Sequence, residues 1–378
     1  MTSHPVLPEP IYVTRPLIPA WASIEPALRA VFESGTLTNM GPWHQRLEQQ
    51  LQERLGHGHL SLWNNGTNAL LGMLSQFDLS GEVVVTPFTF PATVHAIATL
   101  GLTPVFADVR DDDLTLSAES VKERVTEQTS AVLGTHVYGN FCDTVGLAKV
   151  ASEGSRERPI RVLYDGAHIF GRKAPVFEDA TEIGDATILS FHATKLYHTV
   201  EGGAIVTPDA DQHRRFRTAR NFGILGEEHN TGVGLNGKMS EVHAAVGTVV
   251  LDHLDQELQR RADLAARYTE RLRDIEGIRI LSGDGTFHQY MTIRVDGRIR
   301  PGGRDVLRQR LLDHNVVSRK YFFPLCSDID VYRDLPSARG LDVAERAAQE
   351  CLVLPLYGDL PASVVDYICD LVDDFAGE

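Results

Sequence analysis

Val83-Val84-Val85-Thr86-Pro87-Phe88-Thr89-Phe90-Pro91-Ala92-Thr93 runs on in helical spacing to Leu100 and is followed by Pro104-Val105-Phe106-Ala107. The short apolar run Val83 to Val85 predicts a strand buried on both faces, since a half-exposed strand would alternate apolar with polar residues. Thr93 to Leu100 predicts a helix, and Pro104 to Ala107 a second buried strand. The outline recurs downstream at Ala131–Leu133, Val162–Tyr164, Ala186–Leu189 and Ala204–Val206, most of them separated by helical patterns such as Ser117–Arg124. The interval Phe191–Gly203 is too short and glycine-rich for a crossover helix, so a hairpin-like antiparallel pair is expected there. The whole predicts an α/β fold, a mostly parallel central sheet sandwiched by helices.

Two helices are expected upstream. Ser23 stands where a cap would begin the first, whose apolar positions are Ile24, Ala27, Leu28, Val31 and Phe32, and Gly35 stops it. Trp43, Leu47, Leu51 and Leu55 form one stripe of the second, which stops at Gly56. Between them lies the loop Leu37-Thr38-Asn39-Met40-Gly41-Pro42. Downstream, Met239 to Arg273 reads as one long helical stretch, and from Ile278 short strands mix with helices. These features predict a large domain with the N-terminal helices over residues 1–250 and a smaller C-terminal α+β domain over 251–378.

The chain has 378 residues, 43% hydrophobic and 23% charged, with a formal net charge of −15. That length supports a buried core. The acidic balance argues against nucleic acid as a partner, because phosphate backbones need clustered Lys and Arg. It leaves room for a small anion held by a few local cations and backbone amides. No apolar run is long enough to span a bilayer, and Met1 to Pro19 lacks the apolar region of a signal peptide. A cytoplasmic location is expected. Cys142, Cys326, Cys351 and Cys369 are far apart without C-x-x-C spacing, which predicts neither a disulfide framework nor a metal site.

Ligands of open α/β sheets gather at the carboxyl ends of the strands, so the residues following each strand matter most. After Leu60-Ser61-Leu62-Trp63 comes Asn64-Asn65-Gly66-Thr67-Asn68, opening the helical run Ala69 to Leu74. A glycine and a hydroxyl at a helix start offer backbone N–H groups to an anion, although asparagine and threonine are also ordinary caps. After Val85 come Phe88 and Phe90, either core residues or a platform for a planar ring. After Tyr164 comes Asp165-Gly166-Ala167-His168. A carboxylate ending a buried strand needs a partner, and a protonated pyridine nitrogen would be one; the alternative is a loop aspartate capping the next helix. After Leu189 comes Ser190-Phe191-His192-Ala193-Thr194-Lys195, then Glu201-Gly202-Gly203. Lysine is the residue that forms a Schiff base with an aldehyde cofactor.

Taken together, N-G-T-N-A-L, F-T-F-P-A-T, D-G-A-H, S-F-H-A-T-K and E-G-G-A, with L-N-G-K-M-S-E-V-H-A-A from Leu235 to Ala245, resemble the DegT/StrS family of nucleotide-sugar aminotransferases. That family has the aspartate-aminotransferase architecture, pyridoxal-phosphate (PLP) fold type I. The likeness runs in order from about Trp21 to Leu354-Pro355-Leu356. It implies that Lys195 carries the cofactor as a Schiff base and later moves the proton. It implies that Asp165 pairs with the pyridine nitrogen, that His168 reaches the phenolic oxygen, and that Phe90 stacks on the ring. Gly66 and Thr67, with the amide of Asn68, and Ser190 would hold the phosphate. Asn236 would reach the cofactor of a neighbouring subunit, making a homodimer with shared active sites. The chain departs from the family pattern at Gly237 and Lys238, where an aromatic and an arginine are usual, and at Ala193 of the lysine motif.

The resemblance further implies a ping-pong reaction with L-glutamate as amino donor and a nucleotide-linked keto-deoxysugar as acceptor. The loop Leu37–Pro42, the stretch Trp63–Thr67 and the form S-F-H-A-T-K resemble enzymes that aminate C4 of dTDP-4-keto-6-deoxy-D-glucose to give dTDP-4-amino-4,6-dideoxy-D-glucose. Amination at C3 of a dTDP-3-keto-sugar and a silent PLP-binding regulator are the alternatives. Relatives that dehydrate the sugar carry histidine in place of the lysine; His192 stands three residues too early to substitute for Lys195. Tyr321, Phe322 and Phe323 either line the sugar side or belong to the core. Asn39 and His198 are either substrate contacts or loop residues.

Overall fold

The computed structural model describes residues 4–154, 158–171, 175–281 and 289–377. A two-residue strand, β1 (Ile11–Tyr12), precedes helices α1 (Trp21–Ser34) and α2 (Pro42–Leu55). Helix α1 begins before Ser23: Ala20 occupies the N-cap, without a side-chain bond. Gly35 ends it in the left-handed region at φ 68°, as a glycine C-cap should. On α2, Leu47, Leu51 and Leu55 are fully buried and Trp43 is half-buried, so the expected stripe faces the core.

Then follow β2 (His59–Trp63), α3 (Gly66–Ser75), β3 (Glu82–Val85), α4 (Pro91–Thr99), β4 (Thr103–Phe106), α5 (Ala118–Arg124), β5 (Thr129–Thr135), α6 (Thr144–Gly154), β6 (Arg161–Asp165), β7 (Ala186–Ser190) and β8 (Gly203–Thr207). The strands form one seven-stranded sheet in the order β2-β8-β7-β6-β5-β3-β4. Strand β3 pairs in parallel with both β4 and β5, and β5–β6 and β6–β7 are also parallel. Strand β8 runs antiparallel to both β7 and β2. The link between β7 and β8, residues 191–202, contains no helix, whereas a parallel return usually crosses over through one. Side chains alternate between two apolar layers. Val83, Val85, Leu133, Leu163 and Ile188 face one, while Val84, Val132 and Val162 face another. Both faces are covered, which is why the strands read as unbroken apolar runs.

The chain continues through α7 (Ala210–Ala219), the hairpin β9 (Ile224–Leu225) and β10 (His229–Asn230), then α8 (Glu241–Asp252) and α9 (Leu254–Leu272). The expected single helix from Met239 to Arg273 is therefore two helices meeting at His253. No glycine or proline marks the joint, so the sequence carries no signal of it. The rest is β11 (Ile278–Ile280), β12 (Met291–Val295), α10 (Gly303–Asp313), β13 (Val316–Val317), α11 (Asp342–Glu350), β14 (Cys351–Leu354) and α12 (Ala362–Gly377). Strands β11, β12 and β14 make an antiparallel sheet. Its core includes Met291, Ile293, Leu352 and Leu354 with Tyr268 of α9, Leu307 of α10 and Ile368 of α12.

The first residues contact this C-terminal part. Strand β1 pairs with β13, Asn315 donates to the Leu7 carbonyl at 2.6 Å, and His4 meets Asp374 at 3.0 Å. Pairing of β1 with a strand more than 300 residues away has no local signature in the sequence. All four cysteines are buried and unpaired. No described helix is long and apolar enough to cross a membrane.

Candidate active site

The carboxyl ends of β2, β5, β6 and β7 and the N-termini of α3 and α4 converge on one site. Two glycines allow the approach. A Cβ on Gly203 would lie 2.8 Å from the Asn65 carbonyl carbon and 2.9 Å from the Gly66 nitrogen. A Cβ on Gly66 would come within 3.1 Å of the Ser190 Cβ and 3.2 Å of its Oγ. The start of α3 thus sits directly against the end of β7 and the start of β8, and a larger residue at Gly66 would press on the end of β7 and one at Gly203 on the start of α3.

Asn65 caps α3 in extended conformation, its side chain accepting from the Asn68 amide at 2.7 Å. The Asn68 amide, expected to hold a phosphate, is therefore committed to the cap, and its side chain donates to Asn64 at 2.9 Å. The reason is the double asparagine before Gly66, which the motif alone does not rank as cap or ligand. Gly66 and Thr67 remain as the helix-start amides without an intrahelical acceptor. With the helix dipole and the half-buried Ser190 hydroxyl they form a cradle suited to a phosphate.

Asp165 closes β6 and is 5% exposed. Its Oδ2 accepts from the Thr93 hydroxyl at 2.6 Å and its Oδ1 from the Ala167 amide at 3.0 Å. Behind Thr93 stands a relay of buried hydroxyls: Thr135 donates to Thr89 at 3.0 Å, and Thr89 lies 2.9 Å from Thr93. Since Thr93 gives its proton to Asp165, Thr89 donates to Thr93 and the chain of donors ends on the carboxylate. Among the described residues no cation lies within ion-pair distance of Asp165. Burial pushes its carboxyl above the usual range, while the Thr93 and Ala167 bonds and the nearby Lys195 pull it back. A buried carboxylate with no cation among the described residues within ion-pair distance fits a cationic ring nitrogen.

His168 is 6% exposed and accepts the Tyr138 amide on Nδ1 at 3.2 Å. Nδ1 is thereby the unprotonated nitrogen, and the proton sits on Nε2. Burial, and secondarily Lys195, drives its pKa well below the ordinary value, so the ring is neutral and a donor. Phe322 stacks parallel to it at 6.1 Å and Tyr290 meets it edge-on at 5.1 Å. Lys195 is half-buried in a turn whose amide bonds the His192 carbonyl at 2.8 Å. Burial lowers its pKa; Asp165 and Tyr321 oppose that shift.

The remaining expected residues divide. Phe90 is 58% exposed at the N-cap of α4, placed at the site rim, whereas Phe88 is fully buried against Tyr138 and Phe322. Asn236 is exposed beside the start of α3: its carbonyl accepts from Asn64 at 3.0 Å, and its side chain from Lys238 at 3.1 Å. Lys238 also lies 4.5 Å from the Phe222 ring. His198 is a buried structural residue, bonded to the Leu17 carbonyl at 2.8 Å and to the Val200 amide at 3.2 Å. Asn39 and Met40 both adopt positive φ, at 66° and 60°. Phe322 belongs to the core, Tyr321 is half-buried at the site, and Phe323 is 40% exposed.

Sequence reasoning missed the threonine relay, although Thr89 and Thr93 stand in view within F-T-F-P-A-T. It also missed Arg220, which is fully buried and donates to Glu48 at 2.9 Å, to the Leu62 carbonyl at 2.8 Å and to Met40 at 3.3 Å. Its carbonyl accepts the Gly237 amide at 2.9 Å, so it ties the Asn39–Met40 loop to the Asn236 segment. Nothing local distinguishes this arginine from the surface cations of α7.

The chain matches the model of the DegT/DnrJ/EryC1/StrS aminotransferase family over residues 21–373. It is 36% identical over 370 residues, 96% of this chain and 98% of the other, to a dTDP-4-amino-4,6-dideoxy-D-glucose transaminase of Shigella dysenteriae. It is 37% identical over the same shares to an Escherichia coli protein of that name. The crystal structure of DesI in the presence of its TDP-sugar product superposes with a TM-score of 0.90 at 33% identity, covering 98% of this chain and 94% of that one. The chain belongs to the DegT/DnrJ/EryC1/StrS aminotransferase family and is a transaminase whose cofactor is pyridoxal phosphate.

Proposed function

We propose that the enzyme transfers the amino group of L-glutamate to C4 of dTDP-4-keto-6-deoxy-D-glucose, giving dTDP-4-amino-4,6-dideoxy-D-glucose. The carrying observation is that Lys195 lies close enough to Asp165 and to the neutral His168 to shift their proton affinities, while the start of α3 at Gly66 packs on Ser190, five residues before Lys195. The two transaminases named for this aminosugar, similar along nearly their whole length, support the choice of C4 over C3.

When bound, pyridoxal phosphate supplies an aldehyde for the amino group and a ring that takes up the electron pair left at the donor carbon. Lys195 is the attachment point, and its amine, made less basic by burial, is the base that removes the proton from the donor carbon. Asp165 holds a proton on the ring nitrogen, with its own carboxylate oriented by Thr93 and Ala167. His168, with its proton on Nε2, would donate to the phenolic oxygen, and Phe90 would pack on the ring. The Gly66 and Thr67 amides and the Ser190 hydroxyl hold the phosphate. The same lysine returns the proton in the second half-reaction, on the sugar.

Asn236 completes the phosphate site of a second subunit in this reading, and the enzyme is a homodimer. Supporting this, the segment that bears Asn236 exposes Phe222 at 46%, Leu225 at 58% and Val233 at 90%. The four unpaired cysteines suit a cytoplasmic enzyme.

The test is the visible absorption of the holoenzyme. L-Glutamate should bleach the yellow lysine-bound form, dTDP-4-keto-6-deoxy-D-glucose should restore it, and Lys195→Ala should abolish the cycle. A protein that stays colourless with added cofactor would refute the assignment.

A further inference from the structure

Three cations, Arg304, Arg319 and Lys320, lie beside the Tyr321–Phe323 segment, and they are not equivalent. Arg304 and Lys320 both face Asp305, at 2.7 and 3.3 Å, and both lie over the Phe323 ring. Arg319 is exposed, and among the described residues no carboxylate lies within ion-pair distance of its guanidinium. Its side chain is nevertheless placed. The guanidinium carbon sits 4.9 Å from the centroid of the Tyr321 ring, a cation–π contact. Its backbone is locked to Val353 of β14 by two hydrogen bonds, 3.0 and 2.8 Å.

Tyr321 leads inward. Its ring packs 5.2 Å from Tyr290, which meets His168 at 5.1 Å. The Tyr321 hydroxyl and the Lys195 amine are close enough to shift one another's proton affinity. Arg319 therefore stands at the outer end of a row of rings whose inner end walls the reacting centre. In a chain of net charge −15, an unpaired, pre-placed cation at the mouth of a site is an attractor for an anionic ligand.

We infer that Arg319 receives the diphosphate of the nucleotide-linked sugar. This rests on the substrate reading above. The diphosphate hangs from C1, across the pyranose ring from C4, so a sugar with C4 turned toward Lys195 directs its phosphates outward to the mouth. The planar guanidinium fork can bond two phosphate oxygens at once, and stacking on Tyr321 leaves its edges free for them.

The test uses the holoenzyme with Arg319→Gln and Arg319→Lys, following each half-reaction separately in single turnovers, with dTDP alone as competing ligand. Arg319→Gln should raise the half-saturating concentration of dTDP-4-keto-6-deoxy-D-glucose, and the inhibition constant of dTDP, by roughly 10- to 100-fold. Arg319→Lys should fall between it and the wild type, because it keeps the charge and loses the fork. The L-glutamate half-reaction should be unchanged. Added salt should weaken sugar-nucleotide binding in the wild type more than in Arg319→Gln, a readout that a purely structural role would not move. If the wild type binds dTDP and aminates the sugar while Arg319→Gln matches it, the inference is overturned and the substrate reading stands. A variant impaired with glutamate and not with the sugar nucleotide also overturns it, since the ligand is then the donor carboxylate. A wild type that neither binds dTDP nor aminates the sugar overturns both.

Discussion

Replacing Asp165 with asparagine should act in opposite directions on the empty and the loaded enzyme. In the apoprotein the carboxylate is 5% exposed, and its bonds are two, from Thr93 at 2.6 Å and Ala167 at 3.0 Å. Each such bond to a charged acceptor contributes about 1.5–3 kcal/mol, while removing an ion from water costs several kcal/mol even after relaxation. The two nearly cancel with burial ahead, which agrees with the upward direction of its pKa. A folded-state pKa above the unfolded value gives stability that is full below the ordinary 3.8 and lost as pH rises through the raised value. Wild-type apoenzyme should therefore lose ground to Asp165→Asn as pH rises through the acid range, and at pH 7 the variant should be equal or more stable, by up to about 2 kcal/mol. With cofactor bound, the carboxylate gains its cationic partner and the order should reverse. The variant should then lose at least about 3 kcal/mol of the paired interaction and roughly 100-fold in kcat. Urea unfolding of apo and holo protein across pH 4 to 8, together with single-turnover rates, measures both. If Asp165→Asn destabilises the apoprotein as much as the holoenzyme, Asp165 is a structural cap and its assignment to the ring nitrogen is wrong.

Other outcomes follow from the same geometry. The rate at which the Lys195 amine of the apoprotein takes up pyridoxal phosphate should rise with pH and level off below the ordinary lysine pKa of 10.5, because burial favours the neutral amine; in Asp165→Asn, which removes a charge that raises this pKa, the rising limb should move to lower pH. Gly66→Ala should weaken cofactor binding about 10-fold, as expected when about 1.4 kcal/mol of cradle contacts is lost; equal affinity by fluorescence titration would exclude the cradle. Glu48→Gln should cost about 3–5 kcal/mol at neutral pH by leaving Arg220 buried without its charge partner. Burial alone would raise the Glu48 carboxyl, but His44 and Arg220 outweigh it and hold it far below the ordinary 4.5. The stability it contributes is thus present above that value and shrinks as pH falls toward the depressed one. Chemical denaturation at pH 7 and pH 3 should show the gap between Glu48→Gln and wild type narrowing, and a constant gap would argue against the ion pair.

The β-strands were legible because burial on both faces leaves no room for polar alternation. Five of the six runs read from Val83 to Val206 lie within strands of the central sheet and the sixth, Pro104–Ala107, overruns β4 by one residue, while the antiparallel return at β8 followed from a glycine-rich link without a crossover helix. The helix stripe Leu47, Leu51 and Leu55 was legible for the complementary reason, a period near 3.6. Errors fell where the determinant was distant or silent. Helix α1 starts ahead of Ser23, the helical stretch after Met239 divides at His253, and β1 pairs with the distant β13.

For the site, the sequence alone determined which residue types stand at strand ends: a lysine, a carboxylate, a histidine and a glycine-started helix. Residue type and position relative to a strand are local properties, and local order carries them. Tertiary structure decided how those groups are used. It committed the Asn68 amide to the Asn65 cap and set the proton on His168 Nε2 through an amide thirty residues away. It joined three threonines into a donor chain ending on Asp165 and set the Arg319 guanidinium against the Tyr321 ring. Hydrogen-bond direction, burial and charge pairing depend on neighbours brought together from remote parts of the chain, and none of them is encoded at a single position.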